Sequence, residues 1–376
     1  MSRSETNSHD MDEEKRYQLA LSLTGGIGNV NTKNLISYCG SASNVFKSKT
    51  AHLLKIPGVG TKTIESIRSG AVIRQADEII ADCFKSEIKI QHYTDADYPS
   101  RLKVIADAPS ILYSSGSGNY NNQRVLAIVG TRKATEYGKE ITRKIISELA
   151  GTNTLIISGL AYGIDIEAHK ACLEYGLPTY GIMANGHHKI YPSQHKKIAI
   201  KMLETGGLLS ENPPDKQAQA HFFPARNRII AGMSDAVLVV EAAVKGGALI
   251  TANIADSYDK YVFAVPGTIG STYSEGCNEL IRNQKAYIYT GVKDLNYYLN
   301  WDQSNNKGIE KTVDIAQLLP AELKVYNLLF TEKEALHIDE IAWKTQLPIN
   351  EVASHLLTLE FKGILKSLPG KKFKLI

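Results

Sequence analysis

The sequence predicts an α/β protein built on a doubly wound parallel sheet, with a helical domain before it and a winged helix after it. Three observations lead there. Between Val125 and about Trp301, short apolar runs alternate with helix-period patterns, the signature of strand–helix–strand crossovers. Ahead of them, two apolar helical patterns each break at a Gly-hydrophobe-Gly corner. Behind them, three helical patterns end in a basic hairpin, Ile364 to Lys374. At 376 residues there is room for two or three domains of ~100–200 residues each.

Residues 1–11 read as a disordered tail and 12–75 as a helical domain of the helix-hairpin-helix or SAM-like kind. Its corners are Leu23-Thr-Gly-Gly-Ile-Gly28 and Leu54-Lys-Ile-Pro-Gly-Val-Gly-Thr-Lys-Thr-Ile64. In a helix-hairpin-helix motif the two glycines expose backbone amides to a DNA phosphate, while Ile27 or Val59 plugs the core. Such contacts are blind to base sequence. Gly58, Gly60 and Lys62 are the candidate backbone contacts, although a helix pair tied by a tight turn has the same pattern.

The next domain spans 76–301 and begins with a connector. A helix from Ala71 to Phe84 leads to a strand at Ile88–His92 and a polar loop, Ser114 to Gln123. Parallel strands are then expected at Val125–Val129, Thr154–Ser158, Thr179–Met183, Leu208–Ser210, Ala236–Glu241, Tyr261–Val265 and Ala286–Tyr289, in a Rossmann-like sheet. Ligands of such sheets sit beyond the carboxyl ends of the strands.

Nearly every strand delivers a polar, glycine-rich loop to that edge. The first ends in Gly130-Thr-Arg-Lys133 at a helix start, where amides and the dipole favour phosphate. There is no G-x-G-x-x-G, and an ordinary strand–helix turn with two solvated cations fits the same residues. Later strands hand over Ser158-Gly159, Asn185-Gly-His-His188 with Lys189, Phe222-Phe-Pro-Ala-Arg-Asn-Arg228, and Lys245-Gly-Gly247. Arginine, aromatic rings and loop amides together suit single-stranded nucleic acid, whose bases stack while its phosphates follow a basic groove. Arg228 suits a buried contact with an acidic group equally well.

Other chemistries are poorly supplied. Ser158, Asp165 and His169 lack a G-x-S-x-G elbow, so no catalytic residue is assigned. His187, His188 and His195 lack metal-site spacing, and no metal or cofactor is expected. The four cysteines (Cys39, Cys83, Cys172, Cys277) are scattered and fit reduced thiols. Met1 to Arg16 is polar, unlike a signal peptide, and no apolar run is long enough for a bilayer, so a cytoplasmic protein without membrane contact is expected. A net charge of +4 is too small to argue for nucleic acid by itself. The rival reading is a small-nucleotide-binding or nucleotide-hydrolysing enzyme using Lys245-Gly-Gly247 and Glu241.

Residues 302–318 read as a linker and 319–376 as the winged helix, with helices over Ala321–Phe330, Ile338–Lys344 and Ile349–Phe361. Lys371 and Lys372 in the hairpin are candidate contacts to duplex backbone. A protein-interaction module is the other reading of this domain.

With these motifs in view, the chain resembles the DNA-processing protein A family, also called DprA or Smf. The matching stretches are Gly130-Thr-Arg-Lys-Ala134, Ser158-Gly-Leu-Ala-x-Gly-Ile-Asp165, Phe223-Pro-x-Arg-Asn-Arg-Ile-Ile-Ala-Gly232, Val239-Val-Glu-Ala242, Gly247-Ala-Leu-Ile-Thr-Ala252 and Val262-Phe-Ala-Val-Pro-Gly267. The resemblance implies a non-catalytic, cytoplasmic homodimer that binds single-stranded DNA in natural transformation. It implies too that incoming strands are protected and a RecA-type recombinase is loaded. Carried over by motif, the DNA site uses Gly130, Thr131, Arg132, Ser158, Gly159, Phe223, Arg226, Asn227 and Arg228. Lys189, Lys245, Gly246 and Gly247 are further candidates for phosphate. Some members carry a lysine just before the Phe-Pro pair, where this chain has Gln219, Ala220 and His221 and only Lys216 or Lys189 to replace it.

Overall fold

The computed structural model describes residues 3–301, 318–332, 335–362, 364–368 and 371–375, with side chains from Glu13 onward. The chain divides into two units, Met1–Trp301 and Asp302–Ile376. The expected linker, 302–318, lies almost wholly outside the described residues.

The first unit opens with helices α1 (Arg3–Ser22), α2 (Asn29–Cys39), α3 (Ala42–Lys47), α4 (Thr50–Leu53), α5 (Thr61–Arg68) and α6 (Ala71–Lys85). Residues 3–11, expected as a tail, are part of α1. Then come β1 (Lys89–His92), α7 (Ser100–Lys103) and β2 (Ile111–Ser115). The alternating part follows as β3 (Val125–Val129), α8 (Glu136–Leu149), β4 (Leu155–Ser158), α9 (Ile164–Tyr175), β5 (Thr179–Ile182), α10 (Lys196–Met202) and β6 (Gly207–Ser210). It continues as α11 (Phe222–Met233), β7 (Ala236–Val239), α12 (Gly247–Ser257), β8 (Tyr261–Ala264), α13 (Glu275–Arg282), β9 (Tyr287–Ile288) and α14 (Val292–Leu299).

The nine strands form one sheet in the order β1-β2-β6-β5-β4-β3-β7-β8-β9. From β6 across to β9 every pairing is parallel. The central strand shows why: Val125, Ala127 and Val129 enter one apolar layer, Leu126 and Ile128 the other, so both faces must be covered. The order reverses at β3, with β4 on one side and β7 on the other, which is where a rim crevice opens. Beyond β6, β2 and β1 add antiparallel. The sheet is therefore mixed at one edge, a feature the sequence pattern did not indicate.

That edge ties the helical segment to the sheet. Leu19 and Ala20 of α1 and Val72, Ala76 and Ile79 of α6 share a core with Ile111 and Tyr113 of β2. The Asn29 carboxamide oxygen also accepts from Ser110 N and Oγ, at 2.9 and 3.1 Å. The two glycine corners are alike in backbone. Gly26 and Gly58 both sit at φ +80°, a left-handed value open to glycine. Gly28 and Gly60 follow as extended caps of α2 and α5. They pack reciprocally: a Cβ on Gly58 would meet Asn31 Oδ1 at 3.0 Å, and one on Gly26 would meet Thr63 Oγ1 at 3.7 Å.

The second unit holds α15 (Pro320–Glu332), β10 (Leu336–His337), α16 (Ile338–Thr345), α17 (Ile349–Phe361), β11 (Leu365–Leu368) and β12 (Lys372–Leu375). Val325, Leu329, Ile341, Val352, Leu356, Leu359 and Leu365 make its core. Three helices with a small sheet in the order β10-β12-β11 are a winged helix. Among the described residues no helix is long and apolar enough to cross a membrane.

Candidate nucleic-acid interface

The corner after β3 is held by a buried carboxylate. Glu241, 3% exposed, accepts from Thr135 N at 2.9 Å and Thr135 Oγ1 at 2.5 Å. Its backbone carbonyl accepts from Thr131 N at 2.7 Å. Thr135 in turn caps α8, its hydroxyl accepting from Gly138 N at 3.2 Å. Both oxygens of Glu241 are thus occupied in shaping the loop. The acid on which the hydrolytic reading leaned is a structural brace.

Beside this corner lies an open cavity of about 750 Å³. Gly130, Thr131, Arg132, Phe223, Arg226, Asn227, Lys245, Gly246 and Gly247 all line it. Arg132 is exposed and its guanidinium lies 5.5 Å from the centre of the Phe223 ring. Tyr191 also lies beside Phe223, ring centres 5.9 Å apart and tilted by 59°. A smaller recess continues past these rings toward Leu160, Met183 and Pro192. Lys133 and Lys245 add charge to the lining, and α12 starts at Gly247 beside the same space, where a helix N-terminus favours an anion.

Arg226 forms the floor and is only 6% exposed. Its Nη1 donates to the Ile182 carbonyl and its Nε to Asn227 Oδ1 at 3.2 Å. Burial lowers its pKa and the nearby Asp165 carboxylate raises it, leaving a cation as arginine always is. Asp165 shows the reverse: burial raises its pKa, and Arg226 is the largest influence pulling it back. The two groups flank Gly159, where a Cβ would lie 2.4 Å from both Arg226 Nη1 and Asp165 Oδ2. Only glycine leaves room for that pair.

The remaining candidates fall elsewhere. Ser158 is fully buried and its hydroxyl donates to the Ile128 carbonyl at 2.6 Å, so it stands behind the cavity. Gly159 likewise acts from behind, by making space. Arg228 does not reach the cavity: its guanidinium pairs with Glu211 and lies 3.9 Å from Asp107. The reason is helix phase. α11 begins at Phe222, and residues two apart on a helix point in different directions, so Arg226 and Arg228 cannot share a target. Lys189 is exposed outside the cavity lining, and Lys216 lies 5.7 Å from the Phe222 ring centre. Gly58, Gly60 and Lys62 are exposed at the second helical hairpin, away from the cavity, and Lys371 and Lys372 are exposed on the wing.

The imagined triad is not wired as one, because the hydrogen-bond partners of the His169 ring are neither Ser158 nor Asp165: it is buried between Thr179 Oγ1 and the Gly159 carbonyl, each at 2.7 Å. His188 meets Asp82 at 2.6 Å, and His195 Nδ1 meets the Leu160 carbonyl at 2.7 Å. Among the described residues no group of three His, Cys, Asp or Glu side chains could hold a metal ion. Sequence reasoning missed Asp165 and Tyr191 as parts of the site. Tyr191 follows a basic loop segment and could have been read as a stacking ring; nothing in the sequence marks Asp165 as the partner of Arg226.

A Rossmann-like α/β protein, with a cationic and aromatic rim cavity in place of a dinucleotide fingerprint, is the class this fold and site define. Residues 89–300 match the family model of DNA recombination-mediator protein A, and residues 310–371 match the DprA winged helix domain. The chain belongs to the DNA recombination-mediator protein A (DprA/Smf) family. It is 31% identical to Protein Smf of Synechocystis over 96% of this chain and 99% of that one. It is 36% identical to Protein Smf of Escherichia coli, over 81% and 84%. DNA processing protein A of Streptococcus pneumoniae has a similar structure, at TM-score 0.61 and 30% identity, over 74% of this chain and 96% of that one. The structure of DNA processing protein A from Helicobacter pylori, described for its unique single-stranded DNA binding mode, matches at TM-score 0.52 and 28% identity, over 57% and 97%.

Proposed function

We propose that this chain binds single-stranded DNA in the rim cavity, protects incoming strands in natural transformation and loads a RecA-type recombinase, without a catalytic step of its own. The observation that carries the reading is the cluster of Arg132, Phe223 and Tyr191 at one open cavity whose lining also holds the buried Arg226. Phosphates would ride on Arg132, Lys133 and Lys245 while bases stack on Phe223 and Tyr191. The single-stranded DNA binding described for the Helicobacter pylori protein supports the same assignment. Gly58, Gly60 and Lys62 of the second hairpin and Lys371 and Lys372 of the wing are proposed as accessory backbone contacts.

The protein is proposed to work as a cytoplasmic homodimer. Among the described residues β9 is the outermost strand of the sheet, and Tyr287, Ile288 and Tyr297 beside it are exposed by 44%, 49% and 76%. An exposed apolar strand edge is a surface for pairing with a second copy. Sedimentation of an Ile288→Arg variant should give a monomer; an unchanged dimer would place the interface elsewhere.

Fluorescence anisotropy with Arg132→Ala tests the DNA assignment. Single-strand affinity should fall by roughly 10-fold or more, the loss of one charge-assisted contact. Parent-like affinity would remove the cavity from the account. Displacement of the strand by a mononucleotide would favour the small-nucleotide reading, since Gly246 and Gly247 line the same cavity.

A further inference from the structure

The wing of the second unit carries a charge arrangement that its own folding does not require. β11 and β12 pair antiparallel with Lys366 opposite Lys374, Leu368 opposite Lys372 and Leu365 opposite Leu375. Residues directly across a ladder share a face. Leu365, Phe373 and Leu375 pack on the core of the unit. Lys366, Lys372 and Lys374 therefore share the outer face, and all three are exposed, as is Lys371 at the turn. Opposed side chains in such a ladder have Cβ atoms about 5 Å apart, and like charges there are destabilising. Among the described residues the ion pairs of this unit engage Lys344, Lys362 and His337, and none involves the wing lysines.

The neighbouring helix has the opposite character. α17 contains no lysine or arginine and carries Glu351 and Glu360. Its exposed side includes Ile349, Leu357 and Phe361, at 52%, 54% and 84%. Glu360 is engaged with the wing, accepting from Ser367 N at 2.9 Å and Ser367 Oγ at 2.7 Å. A recognition helix that enters the major groove needs donors for base edges and cations for the flanking phosphates. α17 offers donors in Asn350 and Ser354 but no lysine or arginine for the flanking phosphates, and hydrocarbon and Glu351 stand beside those donors.

We infer that the winged helix meets duplex nucleic acid through the outer face of its wing, with Lys366, Lys372 and Lys374 against the phosphate backbone and α17 outside the groove. This contact reads no sequence. Among the described residues this face carries no Phe, Tyr or Trp, only the His337 ring opposite Lys372, so it offers little of the stacking that single strands require. The choice of a nucleic acid over another polyanion rests on the DNA-binding role proposed above.

The test uses the full chain with a labelled blunt duplex in a salt series, comparing the parent with the Lys366→Gln/Lys374→Gln double variant. The slope of log affinity against log salt should shrink by about 1.8, at about 0.9 per lost phosphate contact. Single-strand affinity should stay at the parent value. The double variant should melt no lower than the parent, because a like-charge pair has been relieved, so lost binding is not lost folding. A Glu351→Gln/Leu357→Ala variant on α17 should bind duplex as the parent does. An unchanged duplex slope in the lysine variant overturns the inference, and so does an equal loss in the α17 variant. If the lysine variant is parent-like while Arg132→Ala loses single strands, the wing fails and the DNA role stands. If the parent binds duplex through the wing but no single strand, the role fails and the wing stands.

Discussion

Replacing Arg132 and Arg226 separately distinguishes a ligand contact from a buried brace. Arg132 is exposed and makes no ion pair among the described residues, so Arg132→Ala should change stability by under about 0.5 kcal/mol while weakening DNA binding. Arg226 is 6% exposed, as is Asp165. Arg226→Ala leaves the Ile182 carbonyl without its donor and the buried Asp165 carboxylate without the nearby cation, which costs about 1–3 kcal/mol. In a unit of some 300 residues each kcal/mol moves the melting point by about 2 °C, so a drop of roughly 2–6 °C is expected. Changing Asp165 to Asn in the same chain should recover part of it. The pH dependence has a definite sign. Burial already raises the Asp165 pKa above its ordinary value, and losing Arg226 removes the strongest opposing influence. An acid with a raised folded pKa penalises folding at high pH and ceases to do so as it protonates. The deficit of Arg226→Ala should therefore be largest near neutrality and shrink as pH falls. Differential scanning calorimetry at neutral and acid pH, with anisotropy on the same samples, measures both effects. A variant that melts like the parent at neutral pH would refute the bracing role of Arg226, and a double variant with no recovery would refute its electrostatic link to Asp165.

Further outcomes concern the surrounding structure. Arg228→Ala should lower the melting point by breaking the pair with Glu211, yet leave single-strand affinity intact; a matching loss of binding would return Arg228 to the site. Glu241→Gln keeps an acceptor but weakens the hold on Thr135, and should cost about 1–3 kcal/mol in thermal melting. A stability unaffected by that change would free Glu241 for a chemical role. His169 is held neutral, its pKa pushed down to about 4 by burial. The unfolded chain takes up that proton at an ordinary 6.5. Stability should accordingly decline as pH falls from about 6.5 toward 4, and a melting curve flat across that window would contradict the buried neutral imidazole.

The parallel strands were legible because burial on both faces leaves uninterrupted apolar runs, as in Val125–Val129. β2 was not: its apolar stretch is only Ile111 to Tyr113, follows Pro109, and pairs with a strand nearly a hundred residues later. The rim loops were legible as glycine-rich breaks, and Arg132, Phe223 and Arg226 do converge. Arg226 and Arg228 looked equivalent in one motif, and only the phase of α11 separates a cavity floor from an ion pair facing Glu211. Glu241 looked available because sequence does not show that two donors of Thr135 already occupy it.

Single-strand binding at the rim cavity is tested by anisotropy of labelled single-stranded and duplex oligonucleotides against the full chain, across a salt series and with mononucleotide competitors. Tight single-strand binding is expected that weakens with a slope of about 0.7 per phosphate contact, drops in Arg132→Ala and resists mononucleotides. Absence of single-strand binding, or displacement by a free mononucleotide, would contradict it and turn the cavity into a small-nucleotide site.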